Sequence, residues 1–268
     1  MSSAAPTEQP LSIAVVAAAL GELSCRFDVE VVAECDSTNA RLLAQAEAGA
    51  PSGRVLVALR QTAGRGRRGR SWFSSAEDSL TFSLLWRFPP DITVAGLSLA
   101  VGVALVRALE ALGLPGIALK WPNDVLLHGR KLAGVLIELV PGVLPQAAVI
   151  GIGINLRRAR DLPDDLQLTA AALADAGLPL PATSALLARL LTALSVVLTR
   201  FGAEGFASAR EQWLERHAFQ GRAVRLFSDF SEPLEGLCRG VDSDGALLLE
   251  TAAGVQRIVT GEISLRLA

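Results

Sequence analysis

The chain has 268 residues, of which 51% are hydrophobic, and its formal net charge is −2. This length suits one large domain, or a main domain with a small second one, and the acidic balance argues against a protein that binds nucleic acid over its whole surface. Three scattered cysteines (Cys25, Cys35 and Cys238) and two isolated histidines (His128 and His217) exclude a disulfide framework and a zinc ligand set. A reducing, cytoplasmic location is therefore expected.

The N-terminal region, residues 1–28, is expected to be a loose tail followed by a short helix. Its apolar stretch, Ile13–Leu20, is too short to span a bilayer. Neither Lys nor Arg precedes this stretch, although a secretory signal would begin with basic residues. We therefore expect it to belong to the fold, with no membrane partner.

Strand-like and helical patterns alternate through the following part of the chain, which predicts a mixed α/β domain over residues 29–220. The predicted strands are Val29–Glu34, Arg54–Arg60, Ser79–Arg87, Ile117–Trp121, Val125–Leu127, Leu132–Val140 and Ala147–Ile154. The predicted helices are Ala40–Ala48, Val94–Leu112, Leu166–Ala176, Thr183–Phe201 and one near Glu204–His217.

The pattern changes after Gly221 to short alternating segments, with turn residues between the later ones. These segments are Ala223–Ser228, Leu234–Val241, Ala246–Thr251 and Val255–Leu267. Such spacing is typical of a small β-barrel. We expect a second domain over residues 221–268.

The segment Gly64–Arg70 (GRGRRGR) follows a predicted strand and concentrates glycine and arginine. Glycine lets a backbone approach a ligand closely, and arginine matches carboxylate and phosphate. A solvated basic turn or an RNA-binding segment is the alternative, but the segment is single and lies between apolar strands. No Gly-Lys-Ser/Thr follows, which excludes a P-loop. We interpret it as an anion-binding loop.

Two further motifs carry charge at the ends of predicted strands. In Lys120–Asp124 (KWPND), Pro122 disfavours helix at the preceding residue, so the motif forms a rigid turn. Its carboxylate could order Mg²⁺ or a cluster of cations; a capped turn with Trp121 in the core is the alternative. Lys131 begins an apolar strand, where a charged side chain is unfavourable without a partner or a ligand. The alternative is an ordinary exposed lysine in a turn.

Gly151–Asn155 (GIGIN) offers flexible backbone and an amide that could face a flat ring, which is weak evidence alone. Nothing resembles a nucleophile paired with a base. The chemistry is then expected to depend on positioning and charge neutralisation, as phosphoryl or nucleotidyl transfer does.

In this order, the segments closely resemble the biotin–protein ligase family from about Val29 to the C-terminus. The matching segments are Asp36–Asn39, Gln61, Gly64–Arg70, Ser71–Phe73, Lys120–Asp124, Lys131–Gly134, Gly151–Asn155 and Gly261–Arg266. The resemblance implies an enzyme that joins biotin to ATP, with Mg²⁺, and makes biotinyl-5′-AMP and pyrophosphate. The biotinyl group then passes to a lysine of a biotin carboxyl carrier domain.

The resemblance also implies a fold and a set of site residues. The fold would be an α/β (α+β) catalytic domain with a mixed sheet, like class II aminoacyl-tRNA synthetases, followed by an SH3-like β-barrel. Biotin would contact Ser37, Thr38, Asn39, Gln61 and Gly134. Arg65, Gly66 and Arg67 would close over biotin and phosphate, and Lys131 would bridge the biotin carboxylate and the α-phosphate. The nucleotide would contact Trp72, Lys120, Asn123, Asp124 and Asn155, with Asp124 as a Mg²⁺ ligand.

Other family features remain expectations. Bifunctional members carry an N-terminal DNA-binding module; here about 28 residues with one basic residue, Arg26, precede the similarity. We therefore expect a ligase that does not bind DNA. The expected carrier is the acetyl-CoA carboxylase subunit, and a homodimer through the sheet edge is left open. A lipoate or octanoyl transferase and a nucleic-acid-binding regulator are the alternative functions.

Overall fold

The computed structural model describes residues 11–142, 146–159, 163–228, 232–259 and 263–267. Within these ranges the helices are α1 (Ile13–Leu20), α2 (Thr38–Glu47), α3 (Leu97–Glu110), α4 (Asp164–Thr169), α5 (Thr183–Glu204) and α6 (Ala207–Glu215). The first seven strands are β1 (Asp28–Cys35), β2 (Arg54–Gln61), β3 (Ser79–Arg87), β4 (Ile117–Lys120), β5 (Asp124–Leu127), β6 (Arg130–Leu139) and β7 (Ala147–Asn155). The last five strands are β8 (Ala223–Ser228), β9 (Leu234–Val241), β10 (Leu247–Thr251), β11 (Gly254–Ile258) and β12 (Ile263–Leu267).

The larger sheet has seven strands in the order β1-β2-β3-β7-β6-β5-β4. Strands β1 and β2 are parallel, with Val31 opposite Val57, and α2 connects them. The other neighbouring strands are antiparallel, and in the centre Ser83 lies opposite Gly151, which lies opposite Leu136. The mixed sheet confirms the predicted fold class.

The two faces of this sheet are covered differently. Helices α3 and α5 pack together over one face, and α1 and α6 pack against them. The other face is covered by α2, where Leu42 packs with Leu56, Leu85 and Val149. Because side chains alternate along a strand, Ser83 lies on the same face as Leu85. The part of this face beyond α2 is left for a ligand site.

Helix α5 is long and apolar enough to cross a membrane by length and composition alone. Its buried residues, which include Leu187, Leu191, Leu194 and Phe201, belong to the main core. It packs against α1, α3 and α6. We therefore assign it as a core helix of this fold.

The single helix predicted over Leu166–Ala176 is wrong. Helix α4 ends at Thr169, and a separate 3-10 turn follows at Leu173–Ala176. Between them the chain is extended, because Ala171 N donates to Lys131 O at 2.7 Å. A tertiary backbone contact thus replaces the local helical hydrogen bonds.

The C-terminal strands form an antiparallel sheet in the order β11-β10-β9-β8-β12. The segment predicted as one strand, Val255–Leu267, is two strands at opposite edges of this sheet: β11 makes a hairpin with β10, and β12 pairs with β8. Among the described residues β11 and β12 do not pair, so no closed barrel is seen there. The SH3-like strand content is otherwise as predicted.

Near the KWPND turn the main domain contacts both the C-terminal domain and the linker that leads to it. The Trp121 indole, 1% exposed, donates from Nε1 to Gly245 O at 3.0 Å. On β4, Leu119 N donates to Arg216 O at 2.7 Å, and Leu119 O accepts from Ala218 N at 2.9 Å. The linker to the small sheet therefore continues the edge of the large one.

Candidate active site

Two rows of residues cross the open face of the large sheet and form the floor of the site. The first row is Thr81–Gly153–Gly134, and the second is Ser83–Gly151–Leu136, on β3, β7 and β6. Three of these six positions are glycines, which leave the sheet surface without side chains. The floor can therefore accept flat groups against its backbone.

Trp72 lies across the first row. A Cβ built on Gly153 would lie 2.2 Å from Trp72 Cε2, and one on Gly134 would lie 3.7 Å from Cζ3. The indole Nε1 donates to Thr81 Oγ1 at 3.2 Å, which fixes the ring. The glycine at 153 is thus required for this ring position, a role that GIGIN alone did not reveal.

The predicted biotin contacts lie at the start of α2, over the second row. Ser37 is the N-cap of α2, and its Oγ accepts from Ala40 N at 3.4 Å. Thr38 donates from its backbone N (2.7 Å) and from Oγ1 (3.1 Å) to Gln61 Oε1. The structure therefore brings Ser37, Thr38 and Gln61 together.

Asn39 is also buried here, 3% exposed, beneath the N-terminus of α2. Ser83 Oγ lies 2.5 Å from Asn39 Oδ1 and 2.7 Å from Thr38 Oγ1. A Cβ on Gly151 would lie 2.3 Å from Asn39 Oδ1, so glycine is required below the amide. These uncharged hydroxyl and amide groups suit a ligand with donors and an acceptor but no charge.

The Gly/Arg loop, Gly64–Arg70, covers a cavity of about 380 Å³. Its lining combines loop residues 65–69 with Leu136 and Glu138 of β6. Arg68 and Gly69 have left-handed backbone conformations (φ 61° and 66°) in the turn, and a hydrogen bond of 2.7 Å from Gly66 N to Arg70 O closes the loop. The cationic loop thus forms the roof of the site.

A second group of charges surrounds Asp124 at the KWPND turn. Lys131 Nζ lies 2.6 Å from Asp124 Oδ1, and Lys120 Nζ lies 4.0 Å from Oδ2. Burial lowers the pKa of Arg67, an effect that the Asp124 carboxylate opposes. Arg67 Nη1 also contacts Asn123 Oδ1 at 3.5 Å. The Asp124 carboxylate therefore interacts with three cations of the predicted site, Lys120, Lys131 and Arg67.

The Lys120 ammonium is acted on by one carboxylate and three cations. Burial lowers the pKa of Lys120, Asp124 raises it, and the cations of Lys131, Arg266 and Arg70 lower it further. Arg266 belongs to β12, so the small sheet contributes charge to this side of the site. Such convergence of cations suits a polyanionic ligand.

Two residues predicted to contact the nucleotide, Asn123 and Asn155, donate hydrogen bonds to backbone carbonyls of the fold. Asn123 Nδ2 donates to Val135 O at 2.7 Å, and Val135 N donates to Asn123 O at 3.0 Å. Asn155 Nδ2 donates to the carbonyls of Ala171 (2.9 Å) and Lys131 (3.3 Å). Asn123 therefore ties the KWPND turn to β6, and Asn155 holds the backbone that carries Lys131.

The described part of the chain contains no group of three or more His, Cys, Asp or Glu side chains that could hold a metal ion. Asp124, the predicted Mg²⁺ ligand, is engaged by two lysines. A metal bound by protein groups alone does not suit this donor set. A cation that keeps its waters and binds substrate phosphates, as Mg²⁺ does, needs fewer protein ligands.

Sequence reasoning missed four residues that line or charge the site: Thr81, Ser83, Glu138 and Arg266. The signal for Glu138 was available, because the alternation Gly134–Leu136–Glu138 places it on the site face of β6. Arg266 is the last residue of the matching segment Gly261–Arg266, but the sequence analysis predicted no role for it. Gly261 and Glu262 of that motif lie outside the described residues.

Residues 32–155 match the Biotin/lipoate A/B protein ligase family, and residues 220–266 match the Biotin protein ligase C terminal domain. Over 244 residues the chain is 40% identical to the bifunctional ligase/repressor BirA of Salmonella typhimurium, covering 90% of this chain and 75% of that protein. Over 242 residues it is 35% identical to the biotin--[acetyl-CoA-carboxylase] ligase of Mycobacterium tuberculosis, covering 88% of each. The chain belongs to the biotin protein ligase family.

A solved biotin protein ligase shares the fold. The enzyme from Aquifex aeolicus, in complex with biotin and ATP, superimposes with a TM-score of 0.77 at 31% identity, covering 90% of this chain and 99% of that one. The family assignment confirms the resemblance seen in the motifs. The first family description includes lipoate ligases as well, whereas the C-terminal match is to a domain described for biotin protein ligases.

Proposed function

We propose that the protein activates biotin with MgATP to give biotinyl-5′-AMP and pyrophosphate, then transfers the biotinyl group to a carrier lysine. The observation that carries this proposal is the cavity beneath the Gly/Arg loop. Of its lining residues, Glu138 accepts a hydrogen bond from Asn39 in the hydroxyl–amide pocket at the start of α2, and Arg67 contacts Asn123 in the KWPND turn beside Asp124. The uncharged pocket suits a neutral head group, and the cations suit the carboxylate at the end of its tail.

In the first step a biotin carboxylate oxygen attacks the α-phosphorus, and the bond to the pyrophosphate oxygen breaks. Two anions must approach each other, so their repulsion dominates the barrier. Arg65, Arg67 and Lys131 would offset this repulsion by placing positive charge beside both anions. The 2.6 Å ion pair with Asp124 supports this role for Lys131, because it fixes the ammonium.

The head group of biotin would lie against Ser37, Thr38, Asn39 and Gln61. Hydrogen bonds from Thr38 to Gln61, and from Ser83 to Thr38, orient the hydroxyl and amide groups before the ligand arrives. Gly134 and the neighbouring apolar residues of β6 would line the slot for the valeryl chain. A pocket already ordered loses less entropy on binding.

The nucleotide would occupy the side of the site formed by Trp72 and the KWPND turn. The indole over the glycine floor offers a stacking surface for adenine. Lys120, Asn123 and Asp124 would face the phosphates, with Asn155 supporting the backbone behind Lys131. We propose that Mg²⁺ enters with ATP, because Asp124 is held by two lysines.

In the second step the amine of the carrier lysine attacks the acyl carbon of the adenylate. The carbon–oxygen bond to the phosphate breaks, AMP leaves and an amide forms. The mixed anhydride must be kept from water until the carrier arrives. The Gly/Arg loop, with glycines at three of its seven positions, would close over it and open for the lysine.

The test is exchange of labelled pyrophosphate into ATP by the purified protein. We expect exchange that requires both biotin and Mg²⁺, and biotin labelling of a carboxyl carrier domain. Calorimetry with biotin and with lipoate separates the two ligand classes. Exchange driven by lipoate instead of biotin, or no exchange with either acid, would refute the proposal.

We also propose the wider setting. The carrier is the acetyl-CoA carboxylase subunit, residues 29–220 form the catalytic domain, and residues 221–268 form the second domain. A net charge of −2 supports a ligase that does not bind DNA, and free cysteines support a cytoplasmic location. Strand β1, at one edge of the large sheet, offers a surface for a homodimer. Sedimentation with and without ligands tests the assembly.

A further inference from the structure

We infer that Glu138 is a positioning residue for the biotin side of the site. It lies on β6, lines the cavity and is a carboxylate among cationic loop residues. The proposed reaction gives it no chemical step. The inference rests on the proposed function, because it assigns an effect to the binding of biotin.

One oxygen of Glu138 joins the rigid and the covering parts of the site. Glu138 Oε2 accepts from Asn39 Nδ2 at 2.7 Å and from Arg65 Nη2 at 3.0 Å. Asn39 is 3% exposed on the first turn of α2, whereas the Arg65 side chain is 45% exposed in the loop. Glu138 therefore connects a fixed pocket residue to the roof.

The contact determines which way the Asn39 amide faces. On the nitrogen side the partners, Glu138 and Leu136 O (3.3 Å), can only accept. On the oxygen side Ser83 Oγ lies at 2.5 Å. Without Glu138 the amide nitrogen keeps only the longer of its two bonds, so the pocket loses its strongest orienting contact.

The contact with Arg65 directs the guanidinium without blocking it. A guanidinium has five N–H donors, and Glu138 engages Nη2 alone. The remaining donors can face an anionic ligand in the cavity at the same time. A carboxylate here also reduces repulsion among Arg65, Arg67 and Arg68 as the loop closes.

The inference predicts an effect on biotin and not on ATP. Pyrophosphate exchange is measured while biotin and ATP are varied separately, in wild type, Glu138→Ala, Glu138→Gln and a control. The control is Glu250→Ala, which removes a glutamate of β10 that pairs with Arg239 at 2.5 Å in the small sheet. This pair has the same chemistry outside the cavity.

We expect Glu138→Ala to raise the biotin KM about tenfold and to change the ATP KM less than about twofold, from the loss of charged hydrogen bonds. Glu138→Gln should have a smaller effect, because its amide oxygen still accepts from Asn39. Adding Arg65→Ala to Glu138→Ala should raise the biotin KM by less than the product of the two single effects. The control should match wild type.

Equal rises in both KM values, a loss confined to kcat, or an unchanged biotin KM would overturn the role of Glu138. If Glu138→Ala does not fold, calorimetric biotin affinity of Glu138→Gln decides: wild-type affinity overturns the inference, and weaker binding supports it. Absence of biotin-dependent exchange in wild type refutes the proposed function instead.

Discussion

Replacement of Lys131 by alanine separates catalysis from stability at the centre of the site. The ion pair with Asp124 is short, 2.6 Å, and the two side chains are 39% and 17% exposed. Removal of the lysine leaves the carboxylate with Lys120, at 4.0 Å. The variant thus loses a cation of the proposed site and leaves the partly buried Asp124 carboxylate with weaker partners.

The two losses differ in size. Breaking a buried pair costs about 3–5 kcal/mol and an exposed pair about 0–1 kcal/mol, so this intermediate pair should cost about 1–2 kcal/mol of folding free energy. Removing one preorganised group that stabilises developing charge slows a reaction about 10²–10³-fold. We therefore expect Lys131→Ala to fold and to lose most pyrophosphate exchange.

The assay compares exchange rates at saturating biotin and ATP with urea unfolding midpoints. A second variant, Lys131→Ala with Asp124→Asn, also removes the weakly paired carboxylate and should recover stability while exchange stays low. Recovery of exchange together with stability would show that Lys131 only neutralises Asp124. An exchange rate in Lys131→Ala close to that of wild type would remove the residue from the chemistry altogether.

Three further predictions concern the roof, the floor and the boundary with the small sheet. Arg67→Gly should release biotinyl-AMP, measured as biotin on nonspecific lysines of a bystander protein; full retention of the adenylate would contradict a clasp. Gly153→Ala should force the Trp72 ring aside, which raises the ATP KM and lowers the free energy of unfolding by roughly 1–3 kcal/mol. The control is Gly202→Ala, where a Cβ meets its nearest atom at 3.5 Å; it should neither raise the ATP KM nor lower the free energy of unfolding. Burial lowers the pKa of His217 from 6.5 to about 4. Between these two pH values the unfolded chain binds a proton that the folded chain does not. The free energy of unfolding therefore falls by up to about 3 kcal/mol as the pH drops from 6.5 to about 4. Urea midpoints at pH about 7.5 and about 4.5 should differ less in His217→Phe than in wild type; an equal difference would exclude His217 as the source.

The fold was predictable where local pattern and tertiary packing agree. The runs Arg54–Arg60 and Ser79–Arg87 are strands because short, mostly apolar runs suit the buried centre of a sheet. The pattern failed at residues 170–172, where hydrogen bonds to Lys131 O and from Asn155 replace a helix. Such contacts join segments far apart in the chain, and no local signal encodes them.

The site was predictable by residue type but not by partner. Arginine, lysine and glycine at the motifs predicted an anion site, and the structure places Lys131 Nζ 2.6 Å from Asp124 Oδ1. The pairing of Lys131 with Asp124 depends on the register of β5 and β6. Glu138 was hidden for the same reason, because its significance comes from Asn39 and Arg65, which different elements supply.

The hydrogen bond from Trp121 to Gly245 has a consequence for cooperativity. Trp121 belongs to the same buried core as Leu247 and Leu249 of the small sheet, and its neighbour Lys120 faces the site. Opening the small sheet would leave a buried indole N–H without an acceptor and uncover part of the main core. Local unfolding of the small sheet would therefore also loosen the turn that carries Lys120 and Asp124.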